Sequence, residues 1–480
     1  MKNRQASKTP GGAVFRRTVA VALAALTVLA GLPGAARAGL PPQRLVWSEC
    51  ADDLPDVPPD ERVRCARLRV PVDWARPNGP TFDLAVARRL ARTPERVGTL
   101  VFGPGGPGDS GVERIRKGDR FSDELLDRFD LVSFDPRTVA RTAAPVCAPD
   151  PALRKPAVPL TGQADFDAAV AYNQALWRRC RPTSPVFDHA DTLSTVRDLD
   201  ALRRALGERR LSFHGSSYGT LLGQQYAERY PGRVRAVVLE GVFDHSLDVR
   251  SFVRTQAAAL QDSFDEFVSW CDRSPECVLH ARDVRAVWAQ ALARADRGEY
   301  APRTAFDVTA VALGLLAGPR WPQLAVIVRD MAAGTPPPEV NLPVSVAAFC
   351  ADWPAQVSDY AAYAGVVRDA RAVAPDVRYG AGLLAVQTCL GWPSPVRNPP
   401  HELNVRTRTP LLLLNARHDP RTGYAWAVNV ARQLGRHGRL VTYEGWGHGT
   451  YQRTDCTTAV VDRYLVDLTV PAPGTRCPAS

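Results

Sequence analysis

The sequence predicts an α/β fold in which a mostly parallel sheet carries helices on both faces, with a large, mainly helical insertion. Short apolar runs alternate with helix-spaced stretches between residues 99 and 239, which is typical of βαβ units around a parallel sheet. The alternation stops over residues 245–405 and resumes at residues 410–414. We therefore expect one α/β core over 39–244 and 406–480, interrupted by a helical cap over 245–405.

The individual elements follow from local patterns. Two strands, at residues 64–74 and 82–91, flank strong turn chemistry at residues 77–80. Leucines at helical spacing predict a helix over 197–206, and an amphipathic helix begins near Ser251. The other predicted strands are 99–102, 131–134, 211–214, 235–239, 410–414 and 439–443, and the other predicted helix is 218–230.

The first 38 residues are predicted to be a signal peptide. Basic residues precede an apolar run over 18–32, and residues 36–38 form an Ala-x-Ala cleavage pattern. An uncleaved membrane anchor is the alternative, but the run is shorter than the roughly 20 residues that a membrane span needs. The arginine pair at 16–17 leaves twin-arginine export open. We expect a secreted, extracellular protein that is cleaved after Ala38.

The charge pattern gives no indication of a nucleic-acid partner. The formal charge is +10 for the whole chain and becomes +4 without residues 1–38, which contain six basic residues and no acidic ones. The remaining basic residues are scattered arginines, as on a solvated surface, rather than a basic patch. No apolar run beyond the signal reaches the length of a membrane span.

All ten cysteines follow the predicted cleavage site, and an even number in an exported chain predicts disulfide bonds. Pairing between sequence neighbours is the simplest arrangement, although the sequence alone does not prove connectivity. A zinc site is the alternative, but no paired Cys-x-x-Cys or Cys/His spacing occurs, so no metal or other cofactor is expected. The simplest pairs are Cys50–Cys65, Cys147–Cys180, Cys271–Cys277, Cys350–Cys389 and Cys456–Cys477.

A Gly-x-Ser-x-Gly motif at residues 215–219 lies between a predicted strand and a predicted helix. A nucleophile elbow requires this context, because the glycines permit a sharp turn that presents the serine at the carboxyl end of the sheet. A Ser/Gly-rich turn without chemistry is the alternative. The motif predicts that Ser217 is the nucleophile of an α/β-hydrolase fold.

A serine hydroxyl needs a base, and the base needs an acid that orients it. His448 follows the last predicted strand and has glycine on both sides, whereas His418 and His437 are the competing histidines. Asp419 follows the strand before it, and an Asp-Pro turn is its alternative role. The chain order Ser217, Asp419, His448 matches the α/β-hydrolase order.

An oxyanion hole needs two backbone N–H groups. The residue after the nucleophile, Tyr218, supplies one, and the glycine-rich loop at 103–108 supplies the other. Pro107 has no N–H, so Gly106 is the predicted donor. A plain Gly/Pro turn is the alternative, and a phosphate-binding loop lacks the Gly-Lys-Ser/Thr that would follow it.

These motifs resemble the prolyl-iminopeptidase-like α/β hydrolases, especially the secreted tripeptidyl aminopeptidases of actinobacteria. The resemblance covers nearly all of the chain after the signal and implies a peptidase that releases short peptides, such as tripeptides, from free N-termini. It is carried by residues 105–111, 198–203, 215–219, 226–227, 230–231, 350–353, 389–393, 419–420 and 447–449.

One stretch departs from the family pattern. The family has Asp-x-Arg-Gly-x-Gly-x-Ser where this chain has residues 135–142, with Thr138 and Ala140 in place of the glycines. If those glycines adopt positive φ, Thr138 and Ala140 can adopt it only at a cost in conformational free energy. We therefore expect a different loop and an altered pocket, but not an altered triad.

Three functions are compatible with these residues. A peptidase acting on free N-termini needs a carboxylate for the substrate ammonium group, and Glu240, at the end of strand 235–239, is the first candidate, with Asp244 second. A carboxylesterase would use the same triad without that carboxylate. The third alternative is a cell-envelope binding protein that retains an inactive site. The cap is expected to block the middle of a long chain and to admit only its end.

Overall fold

A nine-stranded sheet organises the computed structural model, which describes residues 43–147, 153–340 and 345–479. The predicted signal peptide lies outside the described residues. The strand order is β1-β2-β4-β3-β5-β6-β7-β8-β9. The strands are β1 (Val63–Pro71), β2 (Thr81–Arg89), β3 (Gly98–Gly103), β4 (Phe129–Phe134), β5 (Leu211–Ser216), β6 (Val234–Glu240), β7 (Leu411–His418), β8 (Gly438–Trp446) and β9 (Arg476–Cys477).

The sheet is parallel from β4 to β9, and among the described strands β2 is the one that runs antiparallel to its neighbours. β1 and β2 form a hairpin around the predicted turn, and β2 continues antiparallel onto β4. From there every neighbouring pair is parallel. All six residues of β4 are buried, as expected for a strand covered on both faces. The predicted α/β-hydrolase fold class is confirmed.

Helices cover both faces of this sheet. The helices are α1 (Gly111–Lys117), α2 (Asp123–Arg128), α3 (Gln163–Cys180), α4 (Thr192–Ala205), α5 (Gly219–Arg229), α6 (Val249–Arg273), α7 (Val284–Asp296), α8 (Ala305–Ala317), α9 (Trp321–Ala333), α10 (Val346–Asp352), α11 (Tyr360–Val373), α12 (Ala381–Thr388), α13 (Tyr424–Leu434) and α14 (Asp455–Asp467). Successive strand residues face opposite sides, so Val101 packs with α4 and α5 whereas Leu100 packs with α1 and α14. Among the described residues, no helix is both long and apolar enough to cross a membrane.

Helices α6–α12 follow β6 and precede β7, and we call them the cap. Their apolar side chains form one cluster, in which the predicted amphipathic helix α6 buries Phe252, Leu260 and Phe264. The cluster also takes in side chains of α3, α5 and α13. Asn173 of α3 donates to the carbonyls of Gln387 and Leu390 at 2.9 Å, so α3 packs on the cap, although its sequence lies within the segment assigned to the core.

The five predicted disulfide bonds are all present. Each joins two cysteines that are neighbours in sequence, with separations from 6 to 39 residues. All ten cysteines lie within the described residues, and none of them is free. Local pairing was therefore the correct arrangement.

The loop after β4 has a left-handed backbone at both positions where the family has glycine. Thr138 and Ala140 both take positive φ, 66° and 41°. Tertiary contacts hold the loop in place: Asp135 accepts hydrogen bonds from Ser110 Oγ at 2.6 Å and from the Arg141 amide at 3.1 Å. Such contacts allow a strained backbone to persist.

Candidate active site

The predicted nucleophile elbow is a tight turn whose two glycine positions have no room for a side chain. β5 ends at Ser216 and α5 begins at Gly219, and Ser217 between them has φ 54°. A Cβ on Gly215 would lie 2.4 Å from the Gly219 carbonyl oxygen, and a Cβ on Gly219 would lie 2.2 Å from that of Gly103. The Ser217 amide donates to the Glu240 carbonyl at 2.8 Å. Ser217 therefore stands at the carboxyl ends of β5 and β6.

Asp419 and His448 are in direct contact. His448 Nδ1 lies 2.9 and 3.1 Å from the two carboxylate oxygens of Asp419. Asp419 is 1% exposed and also accepts the amides of Arg421 and Thr422, at 2.8 and 3.0 Å. These two backbone hydrogen bonds therefore hold the Asp419 carboxylate in place independently of the His448 imidazole. His448 and Ser217 line the same cavity.

Thr422 contacts both Asp419 and His448, and the sequence did not predict this role. Its hydroxyl donates to Asp419 Oδ2 at 2.9 Å and lies 3.3 Å from His448 Nδ1. A threonine three residues after an aspartate commonly bonds back to it in a turn. That spacing was the available signal.

The competing histidines are engaged elsewhere. His418 Nδ1 lies 2.9 Å from Asp262 Oδ2 on α6, and His437 Nδ1 lies 2.9 Å from the Thr407 carbonyl. Neither lines the cavity that contains Ser217. The geometry therefore separates His448 from both alternatives.

The two predicted oxyanion donors flank Ser217. A Cβ on Gly105 would lie 3.1 Å from Ser217 Cβ, so the glycine-rich loop touches the nucleophile. Gly106 in that loop has φ 106° and lines the cavity. Within the part of the chain that the structure describes, neither the Gly106 amide nor the Tyr218 amide donates to another protein group. Both amides are thus available to an oxyanion.

Glu240 does not have the predicted role. It is fully buried, and its Oε1 accepts the amides of Thr450 at 2.6 Å and Tyr451 at 2.8 Å. Its Oε2 contacts Arg120 and lies 3.0 Å from His214 Nε2. Although burial opposes ionisation, these two partners hold the pKa of Glu240 well below its ordinary value. Glu240 therefore fixes the loop that follows His448 and is not left free for a substrate ammonium group.

Asp244, the second predicted ammonium partner, also has its oxygens bonded to protein groups. It is 1% exposed and accepts hydrogen bonds from the Ser246 amide at 2.9 Å and the Ser246 hydroxyl at 2.7 Å. Asn429 Nδ2 donates to its other oxygen at 2.6 Å. Asp244 is outside the cavity lining. Position at a strand end predicted the region but not the direction of either side chain.

The cavity around Ser217 has a volume of about 280 Å³ and two unlike walls. One wall is apolar and comes from the cap and from α13; it includes Phe252, Leu313, Phe349 and Trp426. The lining also contains charged side chains, which we call the charged wall. Its charged members are Asp109, Arg114, Arg120 and Arg421.

The fold, the elbow and the Asp419–His448 pair define a serine hydrolase of the α/β-hydrolase class. The family model described as TAP-like protein matches residues 377–477, which include Asp419 and His448. The chain is 30% identical to serine protease Hip1 of Mycobacterium tuberculosis, over 97% of each chain. This protein therefore belongs to the TAP-like α/β-hydrolase family. It is an enzyme, which excludes the non-enzymatic alternative.

Two further relatives are named for different activities. Carboxylesterase B of Mycobacterium tuberculosis is 31% identical, over 90% of this chain and 89% of its own. Tripeptidyl aminopeptidase of Streptomyces lividans is 29% identical, over 92% of this chain and 87% of its own. The family thus includes proteins named as peptidases and as an esterase.

Proposed function

We propose that this protein is a secreted serine exopeptidase that releases short peptides, such as tripeptides, from free N-termini. The cavity that carries the proposal is lined by Ser217 and by residues of several cap helices. Phe252 of α6, Leu313 of α8 and Phe349 of α10 all line it. A cavity closed in this way favours the end of a chain over its middle. Five disulfide bonds and the predicted signal peptide support an extracellular location.

The proposed chemistry proceeds through an acyl-enzyme. His448 takes the proton of the Ser217 hydroxyl as its oxygen attacks the scissile carbonyl, and Asp419 stabilises the imidazolium. The Gly106 and Tyr218 amides bind the oxyanion. His448 then gives its proton to the departing amine. Water attacks the ester in the second half-reaction, with His448 again as base, and Ser217 is restored.

Asp109 replaces Glu240 as the proposed partner of the substrate ammonium group. It is the single carboxylate among the described residues that line the cavity. A Cβ on Gly105 would lie 3.3 Å from Asp109 Oδ2 and 3.1 Å from Ser217 Cβ, so the carboxylate is close to the nucleophile. A cation in a cavity needs such a partner, because a buried unpaired charge is costly.

A carboxylesterase with the same Ser217–Asp419–His448 triad is the second candidate. The relative named carboxylesterase B favours it, and so does the apolar wall that includes Phe252 and Trp426. An ester substrate would need no partner for an ammonium group.

A panel of substrates separates the two candidates. Aminoacyl, dipeptidyl and tripeptidyl amides are compared with their N-acetylated forms and with simple esters, on wild type and Asp109→Asn. The exopeptidase requires that acetylation abolish cleavage and that Asp109→Asn raise KM for free-amine peptides but not for esters. Equal rates on blocked and free peptides would exclude it and leave the esterase.

A further inference from the structure

Arg421 is an unpaired cation beside the catalytic acid. Its backbone amide donates to Asp419 Oδ1 at 2.8 Å, which fixes its position two residues after that aspartate. Its side chain is exposed and lines the cavity that contains Ser217 and His448. Among residues 43–147, 153–340 and 345–479, its guanidinium forms neither a hydrogen bond nor an ion pair with any protein group.

Of the two other arginines that line the cavity, one is paired and one is not. Arg120 donates to Ser216 Oγ at 3.0 Å and is neutralised by Glu240. Arg114 of α1 resembles Arg421, since within the described residues its side chain has no hydrogen-bond or ion-pair partner and it also lines the cavity. The charged wall thus presents two unpaired guanidinium groups and one carboxylate, Asp109.

The balance of charge around Arg421 favours an anion. The carboxylates of Asp419 and Asp109 attract the Arg421 guanidinium, but within the described residues neither of them forms a hydrogen bond or an ion pair with it. The Asp419 carboxylate already accepts hydrogen bonds from His448, the Thr422 hydroxyl and two backbone amides. It therefore has no acceptor position left for the Arg421 guanidinium. A planar guanidinium whose partner is missing binds a carboxylate in a bidentate, charge-assisted pair.

We propose that Arg421, with Arg114, forms a subsite for a carboxylate group of the substrate. The preferred substrates are then acidic: an Asp or Glu side chain close to the scissile bond, on either the acyl or the leaving-group side. In its peptide form this inference rests on the proposed exopeptidase function. The carboxylate subsite itself would serve an acidic ester equally well.

The test compares isosteric acidic and neutral substrates on the full-length exported protein. Tripeptidyl amides carrying Glu or Gln in the acyl part, peptides carrying Glu or Gln after the scissile bond, and the 4-nitrophenyl esters of succinate and butyrate are assayed. Variants are Arg421→Gln, Arg421→Lys and, as the control, Arg406→Gln, since Arg406 is exposed and does not line the cavity.

The wild type is expected to prefer the acidic member of a pair by about ten- to a hundredfold in kcat/KM, the range of a charge-assisted hydrogen bond. The position at which Glu is preferred over Gln shows whether the subsite binds the acyl part or the leaving-group part of the substrate. Arg421→Gln should bring the acidic-to-neutral ratio of kcat/KM close to one, mainly by raising KM for the acidic substrate. Arg421→Lys should keep part of the acidic preference. Arg406→Gln should leave the ratio at the wild-type value.

Two outcomes would overturn the subsite. One is a wild type with no acidic preference; the other is an Arg421→Gln variant that loses acidic and neutral substrates equally, which would mean that Arg421 only positions Asp419. If Arg421→Gln does not fold, inhibition of the wild type decides: N-acetylglutamate should compete and N-acetylglutamine should not. An enzyme that cleaves no peptide but prefers the succinate ester would refute the exopeptidase and support the subsite.

Discussion

The hydroxyl of Tyr218 donates a hydrogen bond to Asp352, so the residue after the nucleophile is held by the last residue of cap helix α10. Asp352 is fully buried and accepts three more bonds, from the amide and hydroxyl of Thr192 and from Asn398 Nδ2 at 2.9 Å. Because the Tyr218 amide is a proposed oxyanion donor, this contact couples the cap to the site.

The same carboxylate makes stability depend on pH. Burial raises the pKa of Asp352 from 3.8 to about 7, more than the bonds from Thr192 and Tyr218 lower it. Between about pH 4 and 7 the folded protein therefore binds a proton that the unfolded chain releases, so this carboxylate's contribution to stability falls as pH rises. Asp352→Asn should remove a slope of at most about 1.4 kcal/mol per pH unit.

Urea unfolding of wild type and Asp352→Asn between pH 4.5 and 7.5 measures that slope. The difference between the two free energies of unfolding should change steadily from pH 4.5 to about 7 and then level off. Two curves that stay parallel would show that Asp352 does not titrate there.

Glu240→Gln is expected to damage catalysis on every substrate. The variant removes the charge that pairs with Arg120 and His214 and weakens the hold on the amides of Thr450 and Tyr451, two and three residues after His448. Breaking a buried pair costs about 3–5 kcal/mol, so the melting temperature should fall and kcat should drop on esters and peptides alike. Glu444→Gln is the control, since its partners Arg417 and Arg476 lie on the surface.

A rise in KM confined to free-amine peptides would contradict this role for Glu240. It would restore the sequence-based assignment of Glu240 as the ammonium partner.

Thr422→Val should lower kcat by about tenfold on both esters and peptides. The variant removes the hydroxyl that bonds to Asp419 at 2.9 Å, and a hydrogen bond to a charged group is worth about 1.5–3 kcal/mol. Thr422→Ser keeps the hydroxyl and should recover most of the activity. Equal activity of Val and Ser variants would show that the hydroxyl does not orient the acid.

Ala140→Gly should stabilise the protein by up to about 1 kcal/mol. Ala140 has φ 41°, a region that glycine occupies without the cost of a Cβ, although glycine also gains entropy in the unfolded chain. Chemical denaturation measures the change, and Ala289→Gly, at an exposed position in the middle of α7, is the matched control, which should destabilise. A destabilised Ala140→Gly would mean that the loop is not strained.

The sheet, the elbow and the disulfide pairs could be predicted because their signals are local. Apolar runs marked the parallel strands, the glycines at 215 and 219 marked the turn, and each cysteine paired with its neighbour in sequence. The chain order of Ser217, Asp419 and His448 then predicted the triad; the structure pairs Asp419 with His448 and has Ser217 and His448 lining one cavity, and the catalytic roles remain a prediction.

The failures concern partners that are distant in sequence. Glu240 meets Arg120 and Thr450, which are 120 and 210 residues away, and no local pattern indicates either contact. Helix α3 packs on the cap although its sequence lies in the core segment. Thr138 keeps a positive φ because the surrounding loop, fixed through Asp135, determines its backbone. Arg421 follows the predicted strand 410–414, and no local pattern indicated that its side chain would lack a partner among the described residues.

The measurement that tests the central claim most directly is the mapping of the adduct formed with a fluorophosphonate. Such a reagent reacts with a serine only when a base and an oxyanion hole activate it. A single adduct is expected on Ser217 in the wild type, and none in Ser217→Ala, which should also keep less than about a tenth of the turnover. An adduct on Ser216 or elsewhere, or a Ser217→Ala enzyme that still turns over substrate at the wild-type rate, would contradict the assignment.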